Sequence, residues 1–370
     1  MTVQPSQPAQ EGPVIAARAG TSLALIDTPV VTIDLAVMEE NIARLQNYLS
    51  LHGLRNRPHI KTHKLPAVAR MQVAAGAAGI TCQKLGEAEV MAEGGLDDIL
   101  LTYNVLGEAK LERLVALADK ISLTVTVDHA DIAAELSQAI RRAGLMLPVL
   151  IECDTGGRRC GVQTPAEAVE LAQAITRLPG LILRGLMTYP TAPASGAFMG
   201  ETIHLLKAKG IPVDVVSGGG TPGVWKVHEI PGFTEHRAGT YVYNDRNTVA
   251  AGAATLSDCA MRIMATVVSR PTPDRAILDA GSKTLAADLG QGVAGHGLIV
   301  EYPDAVLAAL SEEHGHVDLS LCRRAPNIGE RVSIVPNHAC VVSNLHNEVY
   351  GVRGGRVDVV WPVDARGAVR

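Results

Sequence analysis

Short apolar runs alternate with amphipathic stretches from about residue 28 to about residue 244. The apolar runs are VVTIDL, ITCQ, DILLTY, SLTVTV, LPVLIEC, LRGLMT and VDVVSGG, and the amphipathic stretches include residues 36–53 and 165–178. This βα rhythm predicts an α/β fold built on a parallel sheet. About eight strand candidates favour a closed (β/α)₈ TIM-like barrel, although an open sheet of about six or seven strands stays possible.

The pattern changes at about residue 258. From there strands follow one another without long helices, as in MRIMATVVS, AILDAG, HVDLS and RVSIVP. Such a pattern is typical of a smaller, mostly antiparallel β-domain. We therefore predict a barrel over residues 28–250 and a β-domain over residues 258–370, and we expect residues 1–27 to pack with the β-domain.

Composition restricts the class of protein. The chain has 370 residues, 47% of them hydrophobic, and a formal charge of −5 without a long basic or acidic run, which argues against nucleic acid as a partner. Its six cysteines show no CxxC spacing, which favours reduced thiols. No apolar run reaches the roughly 18 residues of a membrane span. We expect a soluble, cytoplasmic protein.

A basic segment, RPHIKTHK at residues 57–64, carries the first candidate chemistry. On a strand, His59, Lys61 and His63 would share one face because side chains alternate with a period of two. A desolvated lysine has to lose its charge or find a partner, and its amine can condense with an aldehyde such as that of pyridoxal 5′-phosphate (PLP). Either histidine is a candidate acid or base. A surface turn is the alternative interpretation.

Two glycine-rich segments follow predicted strands. In residues 152–161 glycines allow the backbone to approach a ligand, and an arginine can direct its guanidinium at an anionic oxygen. In residues 217–221, backbone N–H groups together with the Ser217 and Thr221 hydroxyls can bind a phosphate. Ordinary turns explain both segments nearly as well.

A histidine and a cysteine lie two residues apart in PNHAC, residues 336–340. On an extended strand both side chains would face the same way and contact one metal ion. Two protein ligands leave coordination positions open, as a catalytic metal requires. A buried histidine beside an inert cysteine is the alternative.

As a set, RPHIKTHK, ITCQKLGEAEVM, DTGGRRCG, SGGGTPG, AGTYVYND, LDAGSK and PNHACVVSNLHNEV resemble the D-threonine aldolase and D-serine dehydratase family, which has the alanine-racemase-like fold of type III PLP enzymes. The resemblance extends from Thr28 to about Trp361. It implies a cofactor site made of Lys61 as the Schiff-base lysine, Gln83 beside the cofactor, Arg159 near its phenolic oxygen, Tyr189 near its phosphate, Ser217, Gly219, Gly220 and Thr221 in the phosphate-binding turn, and Tyr241 near its pyridine ring.

The same resemblance implies that His338 and Cys340 bind a divalent metal. The thiolate favours Zn²⁺ over Mn²⁺, and Mg²⁺ is a further candidate. The implied reaction is cleavage of a small D-β-hydroxy amino acid, with D-threonine aldolase preferred and a D-serine or D-threo-3-hydroxyaspartate dehydratase as the alternative. An amino-acid racemase and a non-catalytic PLP carrier are more distant alternatives. The resemblance also implies a homodimer.

Overall fold

The structure is a computed structural model that describes residues 19–370. Strand β1 (Val30–Asp34) is followed by a parallel sheet with the strand order β2-β9-β8-β7-β6-β5-β4-β3. The strands of this sheet are β2 (Arg55–Asn56), β3 (Ile80–Cys82), β4 (Asp98–Leu101), β5 (Ser122–Val127), β6 (Leu147–Cys153), β7 (Leu181–Thr188), β8 (Val215–Gly219) and β9 (Glu235–Arg237).

Helices connect successive strands of the parallel sheet. They begin where the sequence supplies a cap: Asp34 accepts hydrogen bonds from the first N–H groups of α1, and Thr164 does so for α6, where a proline occupies the first turn. The helices are α1 (Leu35–Leu51), α2 (Pro66–Ala74), α3 (Leu85–Glu93), α4 (Glu108–Ala118), α5 (Ala130–Arg142), α6 (Pro165–Ile175), α7 (Pro193–Ala208), α8 (Arg246–Ala250), α9 (Ser282–Leu285) and α10 (Ala339–Leu345).

The parallel sheet curls until its two edge strands meet. Thr81 N–H donates to the carbonyl of Pro58, and Ala78 N–H donates to the carbonyl of Asn56, each over 2.8 Å. Inside, strands β3 to β6 bury almost every side chain, which explains their continuous apolar sequences. At Gly185 a Cβ atom would lie 1.9 Å from the carbonyl oxygen of Val215, so only glycine fits between β7 and β8. The predicted α/β barrel fold is confirmed.

The second sheet is mostly antiparallel and has nine strands. Besides β1 it contains β10 (Met261–Thr272), β11 (Arg275–Leu278), β12 (Gly297–Ile299), β13 (Val306–Leu310), β14 (Gly315–Asp318), β15 (Arg331–Pro336), β16 (Glu348–Arg353) and β17 (Arg356–Pro362).

The first apolar run lies in this second sheet. Strand β1 pairs antiparallel with β10 and parallel with β16, although the boundary predicted at residue 28 assigned it to the barrel. The preceding chain also contacts this sheet, since Gly20 N–H donates to the carbonyl of Val357 over 2.7 Å. Residues 1–18 of the segment expected to pack here lie outside the described residues. No helix of residues 19–370 has the length and apolarity needed to cross a bilayer.

Candidate active site

One cleft of about 270 Å³ opens where the barrel strands end and the second domain begins. The carboxyl ends of the strands in such barrels are where ligand-binding side chains gather. The barrel supplies most of the lining and the second domain adds two side chains from its own loops. The lining side chains used below are His59, Lys61, Gln83, Arg159, Tyr189, Gly220, Thr221, Arg237 and Asp245 from the barrel, and Gln291 and His338 from the second domain.

The segment that carries Lys61 is a single helical turn. We expected a strand that aligned three basic side chains, and this was wrong: Ile60–Thr62 forms a 3₁₀ turn capped by the side chain of His59. The turn directs Lys61 and His59 into the cleft, where the Lys61 amine lies 5.6 Å from the centre of the Tyr189 ring. His63 turns away.

His63 lies in the protein interior. Its Nε2 is 3.2 Å from Oε1 of Gln72, its Nδ1 accepts the N–H of Leu65, and 1% of the residue is exposed. Burial lowers the pKa of His63 to about 3, so the ring stays neutral. The same Gln72 donates to the Tyr241 hydroxyl over 2.9 Å, and neither Tyr241 nor His63 lines the cleft.

His59 is held in one tautomer at the cleft wall. Its Nδ1 accepts the backbone N–H of Lys61, which leaves Nε2–H to donate to Oε1 of Gln83, both over 3.3 Å. The Gln83 amide in turn donates to the carbonyl of Thr102 over 2.8 Å. Burial, together with the nearby Lys61, lowers the pKa of His59 well below its ordinary value. His59 is therefore unprotonated near neutral pH.

The glycine turn after β8 presents an unpaired hydroxyl. Thr221 is 4% exposed and lines the cleft, and its Oγ1 has no hydrogen-bond partner among residues 19–370. Gly220 beside it adopts φ +113°, where a side chain would be strained. A buried hydroxyl without a partner costs free energy unless a ligand satisfies it. The turn thus fits a phosphate group.

Two other members of the predicted phosphate-binding turn are already engaged. Ser217 lies deeper in the barrel, where its hydroxyl donates to Glu235 over 2.7 Å and accepts from Arg237 over 2.5 Å, so it does not line the cleft as we expected. The Gly219 N–H donates to the hydroxyl of Thr191 over 2.7 Å. Of the four predicted residues, Gly220 and Thr221 face the cleft.

Arg237 is a cleft residue that the sequence analysis missed. It is 5% exposed and donates to the carbonyl of Thr188 over 2.9 Å. Its Nη2 would lie 3.0 Å from a Cβ atom at Gly219, so a glycine there leaves room for the guanidinium. Burial lowers its pKa to about 10, which leaves the guanidinium charged at neutral pH. Although burial alone raises the pKa of Glu235, the ion pair with Arg57 lowers it overall, so Glu235 supplies the compensating charge.

Arg159 and Tyr189 line the cleft next to the glycine turn. The Arg159 guanidinium lies 5.1 Å from the centre of the Tyr189 ring, and its Nη2 is 3.8 Å from the carboxylate of Glu152. With Lys61 near the same ring, two cations face one aromatic side chain. A flat anionic cofactor such as PLP fits this wall, because the charges complement its oxygens while Thr221 addresses its phosphate.

The predicted metal pair lies at the start of a helix and not on an extended strand. His338 precedes α10 and Cys340 is its second residue, but the two side chains are still close enough for each to shift the pKa of the other. Cys340 Sγ lies 3.2 Å from the hydroxyl of Thr62, next to Lys61. The pair therefore adjoins the lysine turn across the domain boundary.

His338 and Cys340 shift each other's pKa in opposite directions. Burial raises the pKa of Cys340, but the hydrogen bond and charge of His338 outweigh it and the net pKa is lowered. The hydrogen bond to Cys340 in turn raises the pKa of His338 to about 9. Thiolate and imidazole are zinc ligands, so the donor set fits Zn²⁺. Within residues 19–370, no group of three or more histidine, cysteine, aspartate or glutamate side chains forms a metal site.

Two carboxylates that no sequence motif identified lie close to His338 and its helix. Asp245, 1% exposed, accepts the N–H of Ala339 over 3.0 Å and so fixes the start of α10. Asp288 lies 2.7 Å from Nδ1 of His338. Gln291 joins the lining from the same loop. For Arg237, the sequence does offer a signal, because the polar triplet Glu235 to Arg237 immediately precedes the motif AGTYVYND.

Barrel, second domain and cleft together define an alanine-racemase-type protein with an added C-terminal domain. Residues 33–247 match the family model described as alanine racemase, N-terminal domain, and residues 260–352 match a serine dehydratase domain. The chain belongs to this family, as the sequence resemblance predicted.

Individual relatives are similar to this chain over most of its length. A D-threonine aldolase from Arthrobacter sp. is 35% identical over 371 aligned residues, 96% of each chain. A D-threo-3-hydroxyaspartate dehydratase from Delftia sp. is 33% identical and covers 86% of this chain and 92% of its own. The crystal structure of a D-threonine aldolase from Filomicrobium marinum superposes with a TM-score of 0.88 at 34% identity, covering 96% of this chain and 100% of the other.

Proposed function

We propose that this chain is a PLP- and divalent-metal-dependent lyase that cleaves D-threonine into glycine and acetaldehyde. The observation that carries the proposal is the convergence of two chemistries on one cleft. Lys61 enters it from the barrel, and His338 enters from the second domain with Cys340 beside it. The family relatives named above act on D-β-hydroxy amino acids, which agrees with this pairing.

Each part of the cofactor has a residue that would hold it. Lys61 supplies the amine for covalent attachment, Thr221 and Gly220 supply the phosphate site, and Arg159 and Tyr189 lie along the ring. When bound, PLP withdraws electrons from the bonds at the substrate Cα. Hydrogen bonds to the Ser217 hydroxyl and to the Thr188 carbonyl hold the Arg237 guanidinium in place at the cleft.

The metal pair would orient the other end of the substrate. His338 and Cys340 would hold the ion, and a metal ion bound there would supply Lewis-acid chemistry toward an oxygen of the substrate such as the β-hydroxyl. We assign proton transfer to His59 and not to His63, because His59 lines the cleft. Since both of its nitrogens are hydrogen-bonded and burial lowers its pKa, accepting a proton requires the ring to release the Lys61 N–H or to change tautomer at Gln83. Its hydrogen bonds to Gln83 and to the Lys61 backbone fix the ring at the wall.

A dehydratase is the second candidate, and one residue favours it. In the family that the sequence resembles, dehydratases pair the histidine with a cysteine two residues later whereas aldolases often have an aspartate there, and this chain has Cys340. The racemase and the non-catalytic carrier are weaker candidates, because neither uses a metal pair supplied by a second domain. A homodimer and a cytoplasmic location remain predictions from the sequence.

Product analysis separates these candidates. Purified protein loaded with PLP and Zn²⁺ or Mn²⁺ is incubated with D-threonine, and glycine, acetaldehyde, 2-oxobutanoate and L-threonine are measured separately. L-threonine as substrate is the matched control. We expect equal amounts of glycine and acetaldehyde from the D-isomer alone. Formation of 2-oxobutanoate would establish the dehydratase, and interconversion of the isomers would establish a racemase.

A further inference from the structure

We infer that Asp288 is a positioning residue for the metal-binding face of His338. The Asp288 carboxylate lies 2.7 Å from His338 Nδ1, so Nδ1–H donates to it and Nε2 is the nitrogen left for a metal. The inference rests on the proposed function, because the ring orientation matters to catalysis only if His338 binds the ion.

The loop that carries Asp288 is fastened next to the histidine itself. The side-chain amide of Asn337, the residue before His338, donates to the carbonyls of both Asp288 and Gly295, over 3.1 and 2.9 Å. Arg246 closes the arrangement by donating to Asn337 and to the carbonyl of Ala294, each over 2.9 Å. One asparagine therefore ties both ends of the loop to the chain segment that begins α10.

This loop also reaches the cleft. Gln291 lies three residues after Asp288, lines the cleft, and is anchored by its N–H to the side chain of Asn247 on α8 over 3.0 Å. The carboxylate is thus held next to Nδ1 of His338 by a backbone that is fixed at several points. A fixed acceptor restricts imidazole rotation and keeps one tautomer.

Stability alone does not explain the pair. The side chains of His338 and Asp288 are 39% and 44% exposed, and exposed ion pairs contribute little to folding. A positioning role instead predicts a loss of metal affinity without a loss of fold. The chain offers a matched control in the exposed pair His129 and Asp131, 3.5 Å apart, which lies at the start of α5 and does not line the cleft.

The test measures zinc affinity of the PLP-loaded protein by competition with a chromophoric chelator. We expect Asp288→Ala to weaken zinc binding by about 10- to 100-fold, the usual effect of removing such a partner. Asp288→Asn, which keeps an acceptor but loses the charge, should fall between Asp288→Ala and the unmodified protein. Asp131→Ala should match the unmodified protein, and all variants should keep the same melting temperature and cofactor absorbance.

Two results would overturn the inference, and they differ. If the unmodified protein binds one zinc and the zinc dissociation constant of Asp288→Ala is within about twofold of the unmodified protein's, Asp288 does not position His338 and the proposed function is unaffected. If the unmodified protein binds no zinc, or if its zinc binding is unchanged in His338→Ala, the metal part of the proposed function fails and the inference fails with it.

Discussion

Removing one partner of the buried ion pair between Lys64 and Glu87 should destabilise the protein strongly. Its atoms lie 2.7 Å apart and the side chains are 7% and 3% exposed. Lys64→Met leaves the Glu87 carboxylate buried without a counter-ion, a change that costs about 3–5 kcal/mol. Glu87 still accepts two backbone N–H groups, from Gln83 over 2.8 Å and Lys84 over 3.2 Å, so we expect about 3 kcal/mol, the lower end of that range.

Urea unfolding of the holoprotein measures this cost. With a slope of about 3 kcal/mol per molar, the midpoint should fall by about 1 M. The double variant Lys64→Met, Glu87→Gln removes the stranded charge and should recover much of the loss. Lys283→Met, which breaks the exposed pair with Glu312, is the control and should leave the midpoint unchanged. The reasoning is refuted if the single variant unfolds at the normal midpoint, or if the double variant is no more stable than the single.

Three further predictions concern the cleft and the buried histidines. Arg159→Leu should weaken cofactor binding on the order of 10- to 100-fold and alter its absorbance, because it removes a charge-assisted contact, whereas Arg158→Leu should not; equal effects would make the loop purely structural. Cys340→Asp should shift the metal that best restores activity after chelation from Zn²⁺ toward Mn²⁺, and an unchanged preference would argue against Cys340 as a ligand. Burial lowers the pKa of His63 to about 3, well below the unfolded value of about 6.5, so the stability that this residue provides above pH 6.5 should be lost as pH falls toward 3. The free energy of unfolding should fall by up to about 1.4 kcal/mol per pH unit, and His63→Gln should reduce this slope when urea unfolding is measured at several pH values.

The barrel could be predicted because its strands have a clear pattern. Strands β3 to β6 are buried on both sides and are continuously apolar, so each was visible in the sequence. Strands β2 and β9, with two and three mostly polar residues, show no such pattern. Strand β1 was visible as a strand, but an apolar run does not reveal which sheet it joins.

The site was predictable as far as motifs place residues near one another. Lys61, Arg159, Thr221 and His338 do converge on one cleft, which the motif set implied. Their neighbours could not be assigned from sequence, since one turn of backbone decides whether a side chain faces the cleft or the core. Ser217 shows this, as its hydroxyl serves Arg237 inside the barrel.

Residues from irregular loops escaped prediction altogether. Asp288 lies in a loop whose path is set by the Asn337 amide, a tertiary contact between segments about 50 residues apart. No periodicity or turn signal marks such a residue. The structure was needed to find it.

The most direct test of the account is to locate the cofactor on the chain. Holoprotein is reduced with borohydride, digested, and analysed by mass spectrometry, with Lys61→Ala treated in parallel. We predict that the pyridoxyl group is found on the peptide containing Lys61 and that the variant carries none. A pyridoxyl group on another lysine, or a variant that retains a reducible cofactor at full occupancy, would contradict the assignment of this cleft as the active site.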